Sequence, residues 1–378
     1  MEYDVIVAGL GGMGSAAAWQ LARRGQRVLG LEQYNIPHPY GSSHGVSRII
    51  RLPYYEHPSY VPLVQRAFAL WREAEMASGR VLMVTTGSID ASPEDDPLFQ
   101  GALNSAILHN LPHEVLSGAE VNERFPGYRL PAGHRAVFQP QGGLIASERA
   151  IVAHAELAMA HGAELHAREK LLHWEVHPGG EGVEVVTKKG RYRAARLVLT
   201  AGAWMGELAT KLARVAVPER QVLAWLQPHR PDYFGPDKFP VFNLQVEEGR
   251  YYGLPIYDVP GFKFGRYHHQ NETGAADTVA REPDEADETL LRAFSERYFP
   301  DGSGATMALR SCMFTNTPDE HFILDHHPDH AQVVLASPCS GHGFKFCSVI
   351  GEIIADLATG DGTTAHDIEF LRFGRLSK

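Results

Sequence analysis

The 378-residue chain is 44% hydrophobic and 21% charged, which gives it the length of two modest domains and apolar content for a large core. Its formal charge of −10, with both signs interspersed, excludes a basic nucleic-acid footprint or an anionic-membrane footprint. Three cysteines are too few, and odd in number, for a disulfide framework.

The first residues, "MEYDVIVAG", read as a strand and not as a charged and then apolar leader. No apolar run approaches the length of a membrane span, so the expected compartment is the cytoplasm. The alternation in "YDVIVAG" ends at Gly9, and "GLGGMG" places Gly9, Gly11 and Gly14 in G-x-G-x-x-G spacing before the helix-like "SAAAWQLARRG". That spacing supplies a tight turn, a close backbone approach to a pyrophosphate, and close packing of helix on strand. The helix N-terminus adds unpaired N–H groups and a positive dipole end. "QRVLGLE" then reads as a second strand ending at Glu32, where a carboxylate accepts hydrogen bonds from a ribose. Together these predict a dinucleotide site. They do not choose between NAD and FAD, because both carry an adenosine ribose and a pyrophosphate.

Helical spacing predicts one helix over "PLVQRAFALWREAEMAS" and a second over "SERAIVAHAELAMAHG", with Ser147 as N-cap and Gly162 just past its end. Between them, "GSIDAS" and the loop-rich "PGYRLPAGHRAVFQPQGG" read as an insertion. "EVVTKKGRYRAARLVLTAG" reads as strands joined at Lys189-Gly190, the last a buried strand ending at Gly202. Residues 216–310 are rich in aromatics, prolines and short strands and hold one acidic helix, "DEADETLLRAFSERYF". "SVIGEIIADLA" reads as a final helix. The expected fold class is α/β, in a two-domain α+β arrangement. A Rossmann-type nucleotide domain takes residues 1–82, 145–215 and 316–378, and a mainly β substrate domain takes residues 83–144 and 216–315. The histidines of "DHHPDH" lack zinc-type ligand spacing, so no metal is expected. "GSSHG" lacks the strand-to-helix elbow of a serine nucleophile.

At "GSSHGVSRIIR", "KFGRYHH", "CMFTNTPDEHFILD" and "SGHGFKF" the chain resembles the monomeric sarcosine oxidase and N-methyltryptophan oxidase family of flavoenzymes, from residue 3 to about residue 367. The resemblance implies a monomer with FAD, a secondary-amine substrate carrying a carboxylate, and molecular oxygen as electron acceptor. It implies oxidation of an N-methyl or cyclic secondary amino acid to an imine, with release of hydrogen peroxide. A flavin dehydrogenase serving a carrier, a flavin-binding redox module without turnover, and an NAD dehydrogenase remain alternatives.

The same resemblance assigns Arg51 to the substrate carboxylate and Arg48 to the catalytic surroundings of the flavin. Their spacing of three is expected to set both guanidinium groups on one side of a helical turn. Lys345 would join Arg51, and Gly341 and Gly343 around His342 would let backbone approach the flavin, as would Gly202. Lys263, between Phe262 and Phe264, would assist the reaction with oxygen as a partly desolvated cation. Tyr252 would line the pocket. The family's active-site histidine position is Tyr267 here; a one-residue bulge would bring His268 into place, and His269 follows. Cys312 falls on the flavin-attachment block, which implies a thioether to the 8α-methyl of FAD. Arg310 or another nearby cation would lower the pKa of its thiol. Cys339 and Cys347 read as small packing residues. Phe314 stands where sarcosine oxidases typically carry tyrosine.

Overall fold

The structure is a computed structural model that describes residues 2–177, 179–337 and 340–376; Cys339 lies outside the described residues. Its first sheet has eight strands. Tyr3–Ala8 lies between two parallel neighbours, Arg191–Leu199 and Val28–Leu31, and His330–Ala336 continues the parallel run beyond Arg191–Leu199. Both faces of Tyr3–Ala8 are covered: Val5 and Val7 enter one apolar cluster, Ile6 and Ala8 another. A near-continuous apolar strand is what two-sided burial requires. The helices Gly12–Arg23, Ser147–Ala160 and Cys347–Ala358 pack together beside this sheet. A Cβ on Gly351 would lie 2.7 Å from the backbone of Ala16, so glycine sets how closely the first and last of these helices approach.

The second sheet, also of eight strands, runs in the order Thr306–Asn316, Val217–Leu226, Phe262–Arg266, Gly249–Leu254, Val241–Val246, Ser88–Pro93, His134–Gln139, Glu114–Ser117. Alternation splits its side chains between two faces. Ile89, Phe242, Phe262 and Phe264 enter an aromatic core closed by helix Glu285–Tyr298. The other face carries Asp90, Asn243, Tyr252, Lys263 and Cys312. Across it, Asp90, Asn243, Tyr252 and Gly265 stand in register on four successive strands. A small third sheet joins Ser47–Ile50, Gly143–Ala146 and Met83–Thr85.

Several local expectations shift. The stretch read as "GSIDAS" is an interior strand of the second sheet, Ser88–Pro93, paired on both sides. Ser147 is the first helical residue and not the cap, which is Ala146; the Ser147 hydroxyl donates to Glu148 at 2.6 Å. The acidic helix begins at Asp284 with a capping box, in which the Asp284 side chain accepts the Asp287 N–H at 3.0 Å. Among the described residues no helix is long and apolar enough to cross a membrane.

Candidate active site

Beyond the end of strand Tyr3–Ala8 opens a cleft of about 1360 Å³, its open mouth included. Gly9, Gly11, Glu32, Gly202, Gly341 and Gly343 all line it. Gly9 has φ +96°, and a Cβ there would meet the Thr200 carbonyl oxygen at 2.6 Å. Gly14 does not face the cleft; a Cβ on it would collide with the Gly9 carbonyl, so its task is to seat helix Gly12–Arg23 on the strand end. At Gly11 the nearest atom to an added Cβ is Ser43 Oγ at 3.6 Å, so the backbone there is open to a ligand. Glu32 is fixed at the next strand end by two backbone donors, Leu10 N–H at 2.9 Å and Tyr34 N–H at 3.0 Å. Bare backbone at a helix start, with an oriented carboxylate beside it, fits a pyrophosphate and its ribose.

A second pocket of about 550 Å³ shares Arg48, Phe314, Gly341 and Phe344 with the cleft. Arg51 and Lys345 both enter its wall, and both are buried. Arg51 donates from Nη2 to both oxygens of Glu56, at 3.0 and 2.8 Å, and from Nη1 to the Pro53 carbonyl. Its Nε lies 3.5 Å from Asp90, and the rings of Tyr54 and Tyr55 lie 4.5 and 4.7 Å from its centre. Burial works against this charge, yet Asp90 and Glu56 outweigh it and raise the guanidinium well above its ordinary value. Burial likewise opposes the Glu56 charge, but Arg51 holds that carboxyl at about 2. Lys345 donates to the His342 carbonyl at 2.7 Å, and burial, then Arg51, bring it down to about 7.

At the junction of the two spaces stands Arg48. It donates to the carbonyls of Ser47 at 2.9 Å, Ser42 at 2.8 Å and His44, and its Nη2 lies 3.6 Å from Cys312 Sγ. No carboxylate among the described residues pairs with it, so its charge is left for whatever occupies the junction. Lys263 lies just behind the wall, donating to the carbonyls of Gly45 at 2.6 Å and Ser47 at 2.5 Å. Burial, then Arg48, push it well below the ordinary lysine value.

The sequence-based expectations meet this geometry unevenly. Arg48 and Arg51 do not share a helical turn: Arg48 belongs to strand Ser47–Ile50 and Arg51 follows it, so the two charges diverge to separate partners. The cation beside Cys312 is Arg48, whereas Arg310 is exposed and bonds the neighbouring Leu309 carbonyl. His268 does not enter the pocket. Strand Phe262–Arg266 pairs without a bulge, and His268 then turns outward at φ +55° between Glu219 at 2.9 Å and Glu320 at 3.0 Å. Hydrogen bonds to those two carboxylates raise it to about 9. His269 turns to Asp287 at 2.7 Å. Tyr267 takes the wall position instead, its ring 3.7 Å from the Arg250 guanidinium centre. Tyr252 lines the pocket, and Cys347 lines the cleft against Gly12. Sequence reasoning missed Tyr54, Glu56, Asp90 and Asn243; "YYE" directly after the Arg51 block was the one local signal.

A family model described as "FAD dependent oxidoreductase" matches residues 4–357. A monomeric sarcosine oxidase of Streptomyces avermitilis is 42% identical over 99% of this chain and 98% of its own length. An N-methyl-L-tryptophan oxidase of Yersinia pestis is 34% identical over the full length of both chains. Among solved structures, NikD, described as an unusual amino acid oxidase essential for nikkomycin biosynthesis, superposes with a TM-score of 0.84 at 27% identity, covering 98% of this chain and 97% of its own. The glycine cleft, its oriented carboxylate and these full-length matches agree: the chain belongs to the FAD-dependent oxidoreductase family and is a flavoprotein amine oxidase.

Proposed function

We propose that this enzyme oxidises N-methyl or cyclic secondary amino acids, binding the substrate carboxylate between Arg51 and Lys345 and passing the electrons to oxygen. The observation that carries this reading is the placement of those two buried cations in one pocket that shares a wall with the glycine cleft. A planar guanidinium suits a carboxylate through two parallel bonds, and an ammonium adds a point charge. Glu56 already takes Arg51 Nη2 with both of its oxygens, so a substrate carboxylate shares or displaces it. Arg48 and Lys345 together disfavour a further positive charge, so the amine is held neutral, with its lone pair available.

The residues of the cleft fit FAD: Gly9, Gly11 and Glu32 toward the dinucleotide end, with Gly202, Gly341, Gly343 and Arg48 along the rest. Bound there, FAD supplies the acceptor for a hydride equivalent from the substrate C–N unit and returns the electrons to oxygen. Arg48, with no carboxylate partner, stabilises negative charge developing at the junction. Lys263, held by two carbonyls behind Ser47, serves the oxygen half-reaction as a cation when protonated. Cys312 would hold FAD through a thioether at the 8α-methyl. Support comes from its position in the second pocket and from the Ser42 carbonyl, 3.7 Å from Sγ, whose residue also lines the cleft. The reading includes a monomer in the cytoplasm. A peroxide-coupled screen of N-methyl and cyclic amino acids tests it: peroxide formed with at least one of them supports it, and substrate-dependent bleaching without peroxide replaces oxidase by dehydrogenase.

A further inference from the structure

Much of the second pocket's wall is apolar or aromatic, from Ile49, Tyr252, Leu254 and Phe314, but one amide interrupts it. Asn243 is 2% exposed and stands in register between Asp90 on one side and Tyr252 on the other. Its Nδ2 donates to Asp90 Oδ1 at 2.8 Å. A carboxylate only accepts, so this bond decides which end of the amide faces the protein. The carbonyl end points away from Asp90. Among the described residues no group donates to Asn243 Oδ1, yet that atom is not sealed from solvent-sized space, so its open side is the pocket.

Asp90 is buried in the middle of its sheet. One oxygen serves Asn243 and sits 3.5 Å from Arg51 Nε, while Oδ2 has no hydrogen-bond partner among the described residues. A buried carboxylate with so little compensation is costly to keep. Here it does two things at once: it sits beside Arg51 Nε while Glu56 takes Nη2, and it locks the amide orientation of Asn243. The anchor for a carboxylate and an amide acceptor in the wall are thereby set by one side chain.

We propose that Asn243, positioned by Asp90, selects substrates whose side chain carries a hydrogen-bond donor, such as a hydroxyl, over substrates with an apolar group of the same size. The proposal rests on the reading that Arg51 and Lys345 hold the substrate carboxylate. A hydroxyl on the substrate donates to Oδ1 and replaces the water lost there. An ethyl or methyl group of equal size covers Oδ1 and leaves it unpaired, and a buried acceptor without a donor is penalised more heavily than a made bond is rewarded. Sites that present a buried polar group to a substrate discriminate on this basis.

The test compares N-methyl-L-serine with N-methyl-L-2-aminobutyrate, which differ by hydroxyl against methyl, as kcat/KM on the FAD-loaded enzyme. A parallel arm measures binding of the non-oxidisable pair 3-hydroxypropanoate and butyrate through the absorbance of bound FAD. Wild type should favour the hydroxyl member about tenfold in both arms. Asn243→Leu should bring the ratio towards unity, the methyl member gaining as the unpaired acceptor is removed and the hydroxyl member losing its bond. Because Asn243→Leu leaves Asp90 without its amide, the double change Asp90→Val with Asn243→Leu removes both groups and should give the same ratio. Asp90→Asn, which no longer dictates the amide orientation, should lower the ratio part of the way. A ratio unchanged in Asn243→Leu, an equal fall of both members, or a wild type that favours the methyl member overturns the proposal. If no amine is oxidised, the amine-oxidase reading fails and the binding arm alone decides this inference.

Discussion

Replacing Lys345 by methionine should stabilise the fold near neutral pH while removing ligand binding. Burial, reinforced by Arg51, holds this ammonium at about 7 against an ordinary value of 10.5. At about 1.36 kcal/mol per pH unit, keeping it charged inside the fold at neutral pH costs on the order of 4 kcal/mol. The His342 carbonyl that it bonds keeps the Tyr54 hydroxyl at 3.3 Å, so methionine leaves that acceptor partnered. The expected net gain is on the order of 3 kcal/mol near pH 7 once the lost charged hydrogen bond is deducted. Its pH dependence has a definite sign. Between the folded value of about 7 and the unfolded value of 10.5, the unfolded chain holds the proton that the folded protein has released, so for this group wild-type stability rises with pH. Lys345→Met lacks that slope, and its advantage should shrink towards zero as pH approaches 10.5. Thermal midpoints of both FAD-loaded proteins by circular dichroism, across this window, give the comparison. Butyrate binding on the same samples should weaken by about tenfold or more in the variant, and in wild type it should weaken as pH rises through about 7. A variant that is less stable at neutral pH, by an amount that does not change with pH, would refute the buried-cation argument.

Glu56→Gln removes the internal rival for Arg51, so carboxylate ligands should bind roughly tenfold tighter while the thermal midpoint falls, read by ligand titration and melting of the same protein. Cys312→Ser should release its yellow colour to the supernatant on acid precipitation while wild type retains it, and peptide mapping of wild type should place the flavin on Cys312 and not on Cys347. His268→Leu concerns stability alone. Glu219 and Glu320 raise this histidine from 6.5 to about 9, so the stabilisation is fully present below 6.5 and is lost as pH rises through 9. The melting deficit of the variant should follow that course and stay small, because the ring is partly exposed and screened.

What was legible in the sequence was local. Gly9, Gly14 and Glu32 act within one strand, helix and strand, so their spacing alone announces the cleft. The capped helix from Asp284 is equally local. The second pocket is different: Asn243 and Tyr252 face each other across a short hairpin, but Asp90 joins them only through the pairing of Ser88–Pro93 with Val241–Val246, 153 residues away from Asn243, and no spacing rule reports that. Arg48 and Arg51 misled for a related reason: a separation of three suits a helix, but the pairing of Ser47–Ile50 with Gly143–Ala146 decides for a strand. At His268 the resemblance supplied a role and the backbone withheld it, since the strand ends at Arg266 and the next side chain inward is Tyr267. The family blocks singled out Cys312 as the expected attachment site, and the cation beside it comes from residue 48, far away in the chain, and not from Arg310.

On the proposed function, this flavoprotein takes electrons from secondary amino acids held by Arg51 and Lys345. Anaerobic mixing of the yellow FAD-loaded enzyme with sarcosine, N-methyltryptophan, pipecolate, proline and the N-methyl amino acids above tests it most directly. At least one of them should bleach the flavin, admitting air should restore the colour with an equimolar yield of hydrogen peroxide, and Arg51→Lys should weaken the bleaching. A yellow enzyme that none of these amines bleaches would contradict it.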